Sequence, residues 1–442
     1  MAEPKYCSLL WKHISNEPLG HVRTCCIARD RVHEIPGGRE YTLGQTPVEE
    51  IFHSEYYKQI RQAIRDGEQP KNCEPCWNDE KNGKKSKRLL YNEIAEQRYG
   101  DINYDEEPGL PEDFQLILSN TCNLKCRSCN PNYSSKWVKE AKDRKLPYIE
   151  ETVKIDMNDK DSRFWTEMDS WLPNIRFLEV MGGDPLYMKE FRVFADKLMA
   201  DGIAGDLEIS FSTNGTTVNR PFIEKMLTNF KSVGFNVSID AAAGKRFDYL
   251  RHGADWKEVA DNLDWFHELQ DDRGISIGIT CTITALNVMY LAELHKVFEE
   301  RWPNFIIFHN MANFPTWFNP NVFPEECKPE IVKSLEDPAN FRPEYRSEMM
   351  GIFHHVMTPR ELTTMPYGSS GEDTIQAEIE KRWFMFCKEI VAGDLYRDEN
   401  FRECFPELFT ILVEHRVFAY ETMEYNIKNI PDFGNLQAGT II

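Results

Sequence analysis

Three cysteines crowd one stretch, Thr121-Cys122-Asn123-Leu124-Lys125-Cys126-Arg127-Ser128-Cys129, at C-x3-C-x2-C spacing directly after an apolar run. Soft thiolates suit iron and zinc, and iron-sulfur clusters are normally held by cysteine. No fourth cysteine lies nearby, so a cluster held here keeps one iron open for something other than protein. Spacing alone also admits a structural zinc knuckle or unrelated buried thiols. A second group lies upstream: Cys7, the pair Cys25-Cys26, and Cys73-Glu74-Pro75-Cys76. With one of Cys25 and Cys26, it offers four thiolates, a closed site for zinc or an iron-sulfur cluster, which spacing does not separate.

The elements that must position these groups come from local patterning. Residues 1–100 read as a small cysteine-rich domain. Leu9 to Ser15 and Val22 to Ile27 form a predicted hairpin around Asn16-Glu17-Pro18-Leu19-Gly20. Thr46-Pro47-Val48-Glu49 has the composition of a capping box, predicting a helix that Ile51, Phe52, Tyr56, Ile60 and Ile64 continue to Gly67. Cys73 and Cys76 fall in a tight polar loop. Residues 101–113 are an acidic linker.

From 114 to 310 strands and helices alternate. Six strands are expected at Phe114 to Ser119, Ile175 to Val180, Leu207 to Ser212, Phe235 to Asp240, Ile275 to Ile283 and Phe305 to Phe308. Helices fall at Ser134 to Arg144, Lys189 to Met199, Arg220 to Phe230, Asp255 to Gln270 and Val288 to Arg301. Trp256, Val259, Leu263 and Phe266 mark the clearest apolar face. The fold class is therefore α/β: a partial (β/α)6 TIM-like barrel with parallel strands, a small N-terminal cluster domain and a mostly helical C-terminal extension, with chemistry just past each strand. The three cysteines, Gly182-Gly183-Asp184-Pro185, Ser212-Thr213-Asn214-Gly215, Ser238 with Asp240, and Asn287 all follow strands in this way. Residues 311–442 carry Trp317, Phe318, Phe323, Trp383, Phe384, Phe386, Phe401 and Phe405, read as an aromatic cap over the barrel or a plain packing extension.

The bulk numbers restrict the partners. The chain has 442 residues, 41% of them hydrophobic and 28% charged, as a globular protein of two or three domains has. No run approaches the roughly 18 apolar residues of a membrane span, and Met1-Ala2-Glu3-Pro4-Lys5 opens no signal peptide, so a cytoplasmic location is expected. In that compartment twelve cysteines are ligands or buried thiols rather than disulfides. A formal charge of -20 argues against nucleic acid as a main partner, and the run Lys81, Lys84, Lys85, Lys87, Arg88 reads as solvated surface.

On these residues the chain resembles the radical S-adenosylmethionine (radical SAM) superfamily: Cys122, Cys126 and Cys129 match its C-x3-C-x2-C signature, and Gly182 to Pro185 resembles its GGEP motif, with Asp184 where glutamate is usual and Ser128 where an aromatic residue often stands. The resemblance implies a 4Fe-4S cluster on the three cysteines whose open iron chelates S-adenosylmethionine. Reductive cleavage then gives a 5'-deoxyadenosyl radical that abstracts hydrogen from a substrate. It further implies that Gly182 and Gly183 admit the methionine amino group, that Asp184, Pro185, Ser212, Asn214, Ser238 and Asp240 line the cofactor, and that Arg251 binds its carboxylate. The N-terminal cysteines resemble the SPASM and Twitch modules, with Cys7, Cys25, Cys73 and Cys76 as ligands of a second, auxiliary 4Fe-4S cluster, here ahead of the barrel rather than after it. Together these resemblances imply an oxidoreductase-type or peptide-modifying enzyme that acts on a ribosomally made peptide or protein and draws electrons from a low-potential donor such as flavodoxin or ferredoxin. Two alternatives stand beside it: Twitch-type oxidation or rearrangement of a small polar metabolite, and a non-catalytic iron-sulfur or zinc protein. Cys281, Cys327, Cys387 and Cys404 are unassigned, as hydrogen donors to a substrate radical or as inert buried thiols.

Overall fold

Alternation of buried and half-exposed side chains marks the strands. In Glu208–Thr213 every second residue is buried, and the same period runs through Ser232–Ser238 and Ile277–Ile283, as expected where one face packs under helices. The computed structural model describes residues 6–35, 37–81, 85–146, 163–242, 244–273, 275–363 and 372–430. Lys84 and the first five residues lie outside them.

Eight strands are described: β1 (His13–Asn16), β2 (Val22–Arg23), β3 (Asp113–Ile117), β4 (Phe177–Met181), β5 (Glu208–Thr213), β6 (Ser232–Ser238), β7 (Ile277–Ile283) and β8 (Ile306–Met311). Their order in the sheet is β2-β1-β3-β4-β5-β6-β7-β8. The run β3 to β8 keeps chain order, the order of a partial (β/α) barrel, and the pairs β3/β4, β4/β5 and β7/β8 are parallel. Helices fill the connections, including Lys189–Ala200, Arg220–Asn229, Trp256–Arg273 and Leu291–Arg301, and the described part of the chain beyond β8 is mostly helical. No helix among the described residues is long and apolar enough to cross a membrane.

By its internal contacts the chain forms two compact units: residues 1–122, 149–213 and 219–235, and residues 123–148, 214–218 and 236–442. The division falls inside the cysteine loop, between Cys122 and Asn123.

In the first unit the N-terminal hairpin does not stand apart. It joins the sheet, with β1 antiparallel to β2 and parallel to β3 through His13↔Asp113 and Ser15↔Gln115. Asn16 replaces a ladder partner, accepting from the Ile117 N–H at 2.9 Å and donating to the Ile117 carbonyl at 3.0 Å. All of β1 is buried, which satisfies the otherwise open edge of β3. Leu9–Lys12, expected as strand, is instead a helical turn in which Leu9, Leu10 and Trp11 are buried in succession. The Trp11 indole donates to the Glu106 carbonyl, and Arg61 and Arg65 pair with Glu107, so the acidic linker is docked.

Other boundaries moved for local reasons. The helix predicted from the Thr46 capping box is two helices, Val48–Phe52 and Glu55–Arg65, and no side chain caps the first. Cys73 ends a 3-10 turn and Cys76 lies in helix Glu74–Lys81, so the expected polar loop is helical. Two cations of the basic run are paired locally, Arg88 with Glu80 and Lys85 with Glu93, and Lys87 donates to Cys26 Sγ. The helix expected from Ser134 starts at Trp137, because the Ser134 hydroxyl turns back to the Leu124 carbonyl. The helix expected from Val288 opens as a 3-10 turn and becomes regular at Leu291.

Apolar packing holds each unit. In the first, Phe211 of β5 is stacked on Phe235 at 5.4 Å between ring centroids and tilted on Phe191 at 5.2 Å. In the second, Val259, Leu263 and Phe266 of the face marked in the sequence are fully buried and Trp256 is half-buried. Replacing Phe211 with alanine removes a fully buried ring and lowers the unfolding free energy by about 3–5 kcal/mol, checked by chemical denaturation of the full chain against wild type.

Candidate cluster and cofactor sites

In the first unit, Cys7, Cys25, Cys73 and Cys76 line one cavity. Asn72 joins the two loops that carry Cys25 and Cys73: its side chain accepts from the Asp30 N–H at 2.7 Å and donates to the Thr24 hydroxyl at 3.2 Å, and its carbonyl accepts from the Arg29 N–H. Cys25, not Cys26, faces the other three; Cys26 is exposed beside Lys87. Burial, then the neighbouring thiols, pushes Cys7 well above the usual thiol range; Cys73 is pushed to about 12 for the same reasons. Four facing thiols with no carboxylate or imidazole among them suit a soft metal centre. Among the described residues no three such side chains are drawn up to metal-binding spacing.

Also in the first unit, the turn after β4 is pressed against the start of the cysteine loop. Gly182 and Gly183 have φ of +81° and +38°. A Cβ on Gly183 would run into the Thr121 carbonyl, and one on Gly182 would sit 2.5 Å from Ile117 Cγ2. Thus the atoms these glycines make room for are the chain's own. Asp184 closes the turn: its N–H donates to the Thr121 carbonyl at 2.9 Å, and its buried carboxylate accepts from the Thr213 hydroxyl at 3.0 Å and the Tyr187 N–H at 3.0 Å. Pro185 is buried behind it, and Ser212 is half-buried near the end of β5.

The second unit holds the rest of the loop. Lys125 and Arg127 donate their backbone N–H groups to the carbonyls of His252 and Leu250, a short ladder that brings Arg251 alongside. Arg251 is buried, with Nη1 3.7 Å from Cys126 Sγ and Nη2 3.1 Å from the Asp240 carboxylate. Asp240 also accepts from the Thr282 N–H at 2.9 Å, and Asn287 holds its backbone carbonyl. Asn214 donates to Asn123 at 2.9 Å and accepts from the Thr216 N–H and hydroxyl. Ser238 is half-buried at the end of β6. Burial raises the Cys126 thiol pKa, while the positive charge of Arg251 works in the opposite direction.

Sequence patterning gave no warning of Arg127, which lies between two of the loop cysteines. Its buried guanidinium pairs with Asp394 at 2.7 Å and with Glu399, and lies 4.0 Å from the Tyr249 ring centre. Asp394 accepts in addition from the Tyr249 hydroxyl at 2.7 Å, the Phe401 N–H at 2.7 Å and the Tyr420 hydroxyl at 2.9 Å. Gly393 is required here, because a Cβ would strike Arg127 Nη1. Arg397 bonds Glu140 at 2.9 Å and covers Trp137, whose indole donates to the Cys126 carbonyl at 3.0 Å. None of these acidic or basic partners recurs at a readable spacing, and only the folded chain joins them. Of the four unassigned cysteines, Cys281, Cys327 and Cys387 are buried and Cys404 is half-buried, and burial raises all four pKa values; Cys281 Sγ lies 3.8 Å from the Asn287 amide nitrogen.

Asp394→Asn leaves a buried guanidinium short of one counter-charge and lowers stability by about 3 kcal/mol, read from denaturant midpoints. Gly183→Ala forces the turn off the Thr121 carbonyl and lowers the melting temperature; Gly202→Ala, where nothing lies within 4 Å of the new Cβ, is the control for the left-handed backbone alone.

Both cysteine groups fall inside segments that match family models. Residues 116–298 match the model of the radical SAM superfamily, and residues 7–77 match SPASM, an iron-sulfur cluster-binding domain. No curated protein matches the chain in sequence. Among solved structures, native anSMEcpe with bound AdoMet shares 20% identity over 51% of this chain and 61% of that one, with a TM-score of 0.34. SuiB of Streptococcus suis bound to S-adenosylmethionine shares 14% over 65% and 59%, also at 0.34. SuiB bound to the precursor peptide SuiA shares 13% over 62% and 61%, at 0.32. The chain thus spans about three-fifths of the length of these structures. The radical SAM domain brings a 4Fe-4S cluster with S-adenosylmethionine, and the SPASM domain an auxiliary iron-sulfur cluster. The chain thus carries a radical SAM domain over residues 116–298, with a SPASM domain over residues 7–77 ahead of it.

Proposed function

We propose that this chain is a radical SAM enzyme that removes a hydrogen atom from a ribosomally made peptide or protein. The cofactor and its cluster, once bound and reduced, supply a 5'-deoxyadenosyl radical for that abstraction; the protein's task is to bind, orient and exclude water. The observation that carries the reading is the chain Cys126, Arg251, Asp240, in which a half-buried thiol of the three-cysteine loop and a buried guanidinium fork lie side by side. In this assignment Cys122, Cys126 and Cys129 hold the cluster. Arg251, kept in place by Asp240, presents its fork to a carboxylate. Asn214, Ser212 and Ser238 stand at strand ends on the cofactor's polar edge, and the turn Gly182 to Pro185 braces the loop from Thr121. Cys7, Cys25, Cys73 and Cys76 hold the auxiliary cluster, which with four protein thiolates has no open iron and so serves in electron transfer. The SPASM domain supports a peptide substrate, since relatives with such a module most often act on peptides. The electron donor is a flavodoxin or ferredoxin.

Anaerobic reconstitution gives about eight irons per chain if both clusters are 4Fe-4S. With dithionite and S-adenosylmethionine the protein releases 5'-deoxyadenosine, and alanine at Cys122, Cys126 and Cys129 together abolishes the release. Stoichiometric zinc, or cofactor cleavage by the triple variant, overturns the assignment. Arg251→Lys keeps the charge but loses the fork, and weakens S-adenosylmethionine binding by about tenfold in equilibrium dialysis. Mass spectrometry of a precursor peptide encoded beside the gene, before and after turnover, tests the substrate class.

A further inference from the structure

The second unit contains a cavity of about 350 Å³ that opens beside Cys129. Its walls come from the Cys129–Pro131 end of the cysteine loop, from the segment 314–318 after β8, and from the helix Glu372–Arg397. The two latter walls lie beyond residue 298, where the match to the superfamily ends.

The charge of that cavity runs against the charge of the chain. The protein carries a formal -20, yet Lys145, Lys381, Arg382 and Lys388 line the cavity against Glu378 and Glu389. Both carboxylates are shared. Glu378 lies 3.2 Å from Arg382 and 3.9 Å from Lys381, while Glu389 is bonded by Arg144 at 2.6 Å and lies 3.8 Å from Lys388. Lys388 is buried, and burial lowers its pKa, so a further anion close by would stabilise its charged form. The floor is aromatic, made by Trp317 and Phe318. The Trp317 indole N–H is buried and meets no acceptor among the described residues, and a buried indole ordinarily finds one.

We propose that this cavity binds the oxyanion of the substrate, a carboxylate or phosphate, through Lys381, Arg382, Lys388 and the Trp317 N–H, with an apolar part of the same molecule on the Trp317 and Phe318 rings. Only the word substrate rests on the radical-enzyme reading; the binding itself does not. Partly open mixed pockets of this volume suit a small ligand or one side chain of a larger one, held by a few polar groups.

The test uses the full chain, anaerobically reconstituted, in isothermal titrations with three probes: N-acetyl-phenylalanine, phenyl phosphate and the neutral N-acetyl-phenylalanine amide. At least one acid binds about tenfold more tightly than the amide, and added salt narrows the difference. Preference for the carboxylate points to a peptide or amino acid, and preference for the phosphate to a phosphorylated metabolite. The double variant Lys381→Glu with Arg382→Glu brings the acid down to the affinity of the amide, while Lys381→Arg with Arg382→Lys restores the preference. Trp317→Phe keeps the ring and costs the acid a few-fold in affinity without affecting the amide. Iron content and circular dichroism establish that each variant is folded, and Lys381→Gln serves if the double reversal is not. The proposal is overturned if the amide binds as tightly as both acids, or if charge reversal in folded protein leaves acid affinity within about twofold. Acid binding without 5'-deoxyadenosine release would leave the site standing and remove the enzyme reading; release without acid preference would do the opposite.

Discussion

A positive charge buried between two cysteines of the C-x3-C-x2-C loop sets the terms for the second unit. Arg127 cannot lie in the interior without anionic partners, because an unpaired buried ion costs several kcal/mol. Those partners are Asp394, 267 residues further along the chain, and Glu399. Asp394 in turn gathers two tyrosine hydroxyls and a helix N–H, so one carboxylate fastens Tyr249, Phe401 and Tyr420 to the loop. The geometry of Cys126 to Cys129 therefore depends on the C-terminal helices being folded. A segment that ended where the superfamily match ends would hold the cysteines but not the partners of Arg127.

The same pairing of buried charges extends along the loop. Glu140 is buried and opposed by that burial, yet Arg397 together with hydrogen bonds from Arg397 and Lys125 holds its pKa below the ordinary carboxylate range. Trp137 lies under Arg397 and reaches the Cys126 carbonyl, linking that ionic cluster to the loop backbone. On the other side Arg251 and Asp240 form a second buried pair next to Cys126. Buried ion pairs of this kind add little net stability compared with apolar packing. Their effect here is positional: Arg251 is held beside the Cys126 thiol, and Arg397 over the Trp137 ring that reaches the Cys126 carbonyl.

The first unit achieves its order differently. There the constraint is the open edge of β3, satisfied by β1 and by the side chain of Asn16, which mimics a strand partner. That pairing ties the N-terminal cysteines to the same sheet that carries β4 and β5, through backbone hydrogen bonds rather than ions. The glycines after β4 and the Asp184–Thr213 contact then lock the entry to the cysteine loop.

Much of this was legible in the chain itself. The alternation of short apolar runs with helical stretches located β3 to β8, and the cysteine spacings singled out both thiol groups, since ligands from one loop must lie close in sequence. Apolar period likewise marked Val259, Leu263 and Phe266. The tertiary structure alone decided the rest. It chose Cys25 over Cys26 by the direction of a turn, placed β1 on the edge of β3, turned Asp184 inward onto Thr213, and joined Arg127 to Asp394. Each of these is a contact between positions far apart in the chain or a choice between adjacent residues of one type. Local propensity carries no information about either, because their energy arises only when folding removes water from both partners at once.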